Sequence, residues 1–71
     1  MRLGDQISIV PSDELIEMRL MALAFRKGKI VEIRRNGEGL IFGAWVELEG
    51  QPYLDEQEWF IPLESIDYAE A

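Results

Sequence analysis

Three punctuated segments, in this order, constrain the fold of this chain more than any other feature. Gly4-Asp5 opens the alternating run Gln6-Ile7-Ser8-Ile9-Val10; Gly28-Lys29-Ile30-Val31-Glu32-Ile33 follows; Trp59-Phe60-Ile61-Pro62-Leu63-Glu64-Ser65-Ile66 comes last. Each is a short stretch of strand-favouring residues bounded by Gly or Pro, and short strands spaced this way read as a small β-barrel. The 71 residues make room for one domain, 1–71. A chain of this size buries only about 60% of the surface its unfolded form exposes, so its core has to be small and tightly packed.

Ile7 and Ile9 fall on one face of the first strand, and Pro11 ends it because proline has no N–H for a ladder. Ser12 then offers a helix cap, with Asp13 and Glu14 in the first turn, ahead of the helix-forming run Leu15 to Phe25. The pattern predicts one helix of about three turns over 12–25, with Ile16, Leu20 and Leu23 on one stripe. Gly28 reads as its end, and Lys29 to Arg35 as the second strand, with Val31 and Ile33 on one face and Ile30, Glu32 and Arg34 on the other. Asn36-Gly37 predicts a tight hairpin. Leu40 to Glu49 is the longest strand, bent at Gly43; Gln57 to Pro62 is the fourth; Leu63-Glu64-Ser65 turns into Ile66-Asp67-Tyr68, which pairs with the first strand and closes the sheet.

These residues carry a resemblance. Gly28-Lys29-Ile30-Val31-Glu32-Ile33 resembles the Gly-x-Val-x-x-Ile core of a KOW-type element. Ile61-Pro62-Leu63-Glu64-Ser65-Ile66 is similar to the strand, 3₁₀ turn and closing strand that end SH3-like barrels. The resemblance covers most of the chain apart from 12–25, which takes the place of the long loop after strand one. It implies a mainly β SH3-like barrel of about five antiparallel strands, with one helix inserted after the first. The stretch from Trp45 to Pro62 is also similar to short uncharacterised bacterial proteins of Bacteroidetes type, for which the resemblance implies no activity.

Composition narrows the function classes. Without Cys or His the chain lacks thiolate metal sites, a thiol nucleophile and the commonest general base. Ser8, Ser12 and Ser65 have no visible base, so no catalysis is expected, and no cofactor. Asp55-Glu56-x-Glu58 groups three carboxylates but lacks the alternation and glycine of a calcium loop, so no metal is expected. Met1 to Asp5 reaches an acid at once, unlike a secretory leader, and no apolar run approaches the roughly 20 residues that span a bilayer. No membrane partner and a cytoplasmic location are the expectations.

Charge is asymmetric. Residues 1–35 hold all seven Lys and Arg against five acids, whereas 36–71 hold nine acids and no Lys or Arg; the net formal charge is −7. An acidic second half repels phosphate backbones and suits a basic protein partner. Two surfaces follow. The aromatic residues Trp45 and Tyr53, with Glu47, Glu49, Asp55 and Glu56 close in sequence, have the ingredients by which SH3-like domains take a proline-containing or basic peptide. The helix insertion and the Ile7 and Ile9 that stand where paired tyrosines belong depart from the proline-binding pattern. The alternative is nucleic-acid or ribonucleoprotein binding through a KOW-like basic stripe, Arg26, Lys27, Lys29, Arg34 and Arg35, which the net charge disfavours. Met18, Leu20 and Met21 on the helix offer a third face, for a second copy of the chain. The expectation is a non-catalytic module whose partner is a protein or peptide.

Overall fold

The computed structural model describes residues 1–68, and in it Ile7 and Ile9 of strand β1, Gln6–Ile9, are both fully buried. The alternating pattern thus acts as expected. β1 lies between β2, Lys27–Arg35, and β5, Ile66–Tyr68; β2 pairs on with β3, Ile41–Leu48, and β3 with β4, Glu58–Pro62. All pairings are antiparallel and give one five-stranded sheet in the order β4-β3-β2-β1-β5. The first strand does pair with the last, Ile7 facing Tyr68 and Ile9 facing Ile66. The sheet is nevertheless open: its edges, β4 and β5, are joined by a 3₁₀ turn, Leu63–Ser65, and not by a ladder.

The segment read as a single long helix is not one. It forms a five-residue helix α1, Asp13–Glu17, and a separate 3₁₀ turn, Met21–Leu23. Its start is as expected: Ser12 caps it, accepting from the Leu15 N–H at 3.1 Å. Its end is a Schellman motif, in which the Leu20 N–H donates to the Leu15 carbonyl at 3.0 Å and the Arg19 N–H to that of Ile16 at 2.9 Å. Arg19 occupies the left-handed position at φ 59°, where glycine is usual. The motif folds Leu20 back onto Leu15, and both leave solvent, so the buried set is Leu15, Leu20 and Leu23, while Ile16 is exposed. Burying a leucine contributes about 1.5–3 kcal/mol, more than the strain at Arg19 costs.

Three further details differ from the sequence pattern. β2 begins at Lys27, so Gly28 lies inside the strand rather than at a helix end. A Cβ there would meet the Val46 side chain and lie 2.6 Å from the Glu47 carbonyl oxygen, so glycine is what lets β2 and β3 approach. The β2–β3 register then shifts between Ile30 and Glu32. This bulge at Val31 breaks the alternation, so Ile30 is buried and Ile33 also packs against the core cluster. Finally, the positive φ of the β2–β3 turn belongs to Gly39, not to Gly37. Asn36 works through its side chain, whose Oδ1 accepts from the N–H groups of Glu38 and Leu40 at 2.8 and 3.0 Å.

The core is completed from β3 and β4 by Ala44, Val46, Leu48 and Ile61. Among the described residues Ser65 is the one buried polar residue, and its hydroxyl pairs with that of Ser12 at 2.6 Å, tying the start of α1 to the turn before β5.

Candidate functional site

The surface between α1 and the β3–β4 pair is organised by Phe60. Its ring centroid lies 5.7 Å from that of Phe42 and 6.1 Å from that of Trp45, the latter edge-on. Gly43 makes this possible, since a Cβ there would run into the Phe60 ring. Phe42 joins because a second register shift, between Arg34 and Arg35, leaves it out of the β2–β3 ladder. Three aromatic rings thus line up beside Met18, the last residue of the α1 cap.

Two grooves meet at Met18 and Phe60. One, of about 420 Å³, runs from Glu14 and Glu17 past Ile41 and Phe42 to Pro62, Leu63 and Glu64. The other, of about 320 Å³, is floored by Leu20, Trp45 and Trp59 and bordered by Glu56 and Glu58. Neither groove has a Lys or Arg in its wall. Among the described residues the one ion pair is Arg34 with Glu32, 2.7 Å apart on the exposed part of β2, so the groove carboxylates have no cationic partner. Their negative potential is open to a ligand. The Trp45 indole N–H makes no hydrogen bond among the described residues, whereas that of Trp59 donates to the Glu56 carbonyl at 3.0 Å.

Of the six residues singled out from the sequence, Trp45 and Glu56 are brought together in the second groove. Tyr53 instead packs its ring at a tilt against Trp59, centroids 5.4 Å apart, and lies on the core. Asp55 sits with Leu54 at the tip of a tight turn, both at positive φ, closed by reciprocal bonds between Tyr53 and Glu56 of 3.0 and 2.9 Å. Glu47 and Glu49 line a different hollow with Gln6 and Lys29. Among the described residues no group of carboxylates is placed to hold a metal ion.

The basic stripe is dispersed. Arg26 is taken up by the turn after β3, where its guanidinium donates to the carbonyls of Glu49, at 3.0 Å, and of Gln51. Arg34 pairs with Glu32, and Arg35 donates to the Gly39 carbonyl at 3.0 Å. At about 3.3 Å per strand residue, Lys27 and Arg35 lie roughly 25 Å apart along β2. On the helix face, Met18 and Met21 are partly exposed, but Leu20 belongs to the core.

Phe42 and Pro62 were not legible as site residues, and Met18 was read only as part of a face for a second copy. The one available signal was Gly43 in mid-strand, which marks a close approach as readily as a bend. Compared with known proteins, the chain matches no family model, no curated protein and no solved structure.

Proposed function

We propose that this chain is a non-catalytic interaction module with an SH3-like barrel topology, whose partner is a protein presenting a basic segment with apolar side chains. The pairing of β1 with β5, the meander β2-β3-β4 and the 3₁₀ turn between β4 and β5 support that topology. One observation carries the functional reading: two apolar grooves joined at Met18 and Phe60 are bordered by five carboxylates and by no cation. Apolar floors supply affinity by burying side chains, and the acidic rim supplies orientation and a faster encounter with a cationic partner. The free Trp45 N–H offers a donor to a peptide carbonyl.

The test is selection of random displayed peptides on the immobilised protein, followed by affinity measurement on the selected sequences. Selected peptides should be enriched in Lys or Arg next to apolar residues. They should bind Phe60→Ala and Glu58→Lys variants at least about tenfold more weakly, a loss of about 1.4 kcal/mol. Circular dichroism checks that the variants remain folded. Selected peptides that are acidic, or that bind both folded variants as well as the original protein, would overturn the reading.

A further inference from the structure

The second groove runs along a strand edge, and the register shows which backbone groups that edge offers. The Leu48 N–H donates to the Gln57 carbonyl at 2.7 Å, and the pairing that follows sets Glu47 opposite Glu58, Val46 opposite Trp59 and Trp45 opposite Phe60. Opposed residues in an antiparallel ladder alternate between pairs that exchange hydrogen bonds and pairs that do not. Trp59 and Ile61 therefore bond to β3, while Glu58 and Phe60 turn their N–H and C=O groups away from it. The same holds on the other side of β3, where the Glu49 N–H donates to the Lys27 carbonyl at 2.8 Å and the ladder continues to Glu47 and Lys29. Pro62, the next outward position, has no N–H to leave unpaired. Among the described residues, no turn or loop carbonyl meets the Glu58 or Phe60 N–H, and the register turns both away from β3.

Resting on the interaction reading above, we propose that the basic partner segment binds in extended form, as an added strand hydrogen-bonded to the free edge of β4. The Glu58 and Phe60 backbones supply two donors and two acceptors, at the spacing an antiparallel or parallel strand requires. Alternate side chains of the added strand fall on the Phe60 face and on the Trp59 face of the sheet, against Met18 and Leu20. Lys or Arg side chains among them reach Glu56 and Glu58 at the rim. The other sheet edge, β5, does not offer this: it is three residues long with Asp67 at its centre, a protected edge. A second copy is the poorer occupant, because each chain carries a net charge of −7 and pairing β4 with itself sets Glu58 among the same carboxylates.

The probe is the acetylated, amidated peptide Lys-Val-Arg-Val-Lys-Val-Arg, with two N-methylated derivatives isomeric with each other, one methylated at the three Val amides and one at the amides of the inner Lys and both Arg. Isotope-labelled whole protein is titrated with each, following the indole signals of Trp45 and Trp59 and the amide exchange of Glu58 and Phe60. Strand addition predicts that the unmodified peptide slows exchange at both amides by about tenfold or more at saturation. It also predicts that one isomer loses binding while the other keeps it, since only alternate peptide amides face β4. Indole shifts without protection of those amides, or equal binding of the two isomers, would leave the groove reading standing and overturn the added strand. Absence of indole shifts at millimolar peptide would overturn both. Protection of Glu58 and Phe60 that rises with protein concentration alone would assign the edge to a second copy and overturn the peptide.

Discussion

Replacing Arg19 by glycine removes a side chain from a helix terminus and should nonetheless stabilise the fold. Arg19 holds φ 59° to close the Schellman motif that buries Leu15 and Leu20. A residue with a Cβ pays about 1–2 kcal/mol in that conformation. Glycine escapes the strain but loses more freedom on folding, by about 0.5–1 kcal/mol. Arg19 is exposed and makes no ion pair among the described residues, so no lost contact enters the balance. The net expectation for Arg19→Gly is a gain of about 0.5–1 kcal/mol, or about 2–8 °C in Tm for a domain of this size. Arg19→Ala keeps the strain and should change stability by less than about 0.5 kcal/mol. Thermal unfolding followed by circular dichroism, with urea unfolding as a second measure, reads both variants. A Tm for Arg19→Gly at or below that of the original protein, with Arg19→Ala unchanged, would refute the view that this terminus is strained.

Gly28→Ala should destabilise by about 1–3 kcal/mol in urea, because the new Cβ is pressed against the rigid Glu47 carbonyl as well as against Val46. Ser65→Ala should cost about 1 kcal/mol and Ser12→Ala about 2–3 kcal/mol, since the latter removes the helix cap and also strands a buried hydroxyl; the reverse order of costs would contradict the described hydroxyl pair. The Tyr68 phenol is held above its ordinary pKa, first by burial and then by the Asp5 carboxylate. The folded state therefore resists loss of that proton, so its contribution is present at neutral pH and lost as pH rises through the phenol's folded pKa. Asp5→Asn should lower that pKa in an ultraviolet titration.

Much of the sheet was readable because its signals are local. Alternation in β1, the turn between β4 and β5, and the last strand Ile66–Tyr68 with its pairing to β1 all lie where the pattern puts them, although the sheet does not close. The long helix failed for a specific reason: Leu15 to Phe25 is rich in helix formers, and the stop signal at position 19 is carried by an arginine rather than a glycine. Tertiary burial of Leu20 overrode local propensity there. The faces of β2 were misassigned because one extra residue, Val31, inverts the alternation beyond it. The candidate site was the least legible part. Trp45 and Glu56 are eleven residues apart in sequence and meet in a groove with Met18, whose place depends on that same early helix end. Tyr53 looked available because it lies in a loop, yet its ring is engaged by Trp59.

The pairing of β1 with β5 has a practical consequence for anyone building with this domain. Ile7 faces Tyr68 across one ladder, and neighbouring strands run about 4.8 Å apart, so polypeptide enters and leaves the sheet at nearly one point. Such a fold can be spliced into an exposed loop of a host protein with linkers of only a few residues, without prising the host's loop open. The grooves lie on β3, β4 and the α1 segment, away from that splice point in the strand order, and so stay presentable to solvent when both ends are tethered.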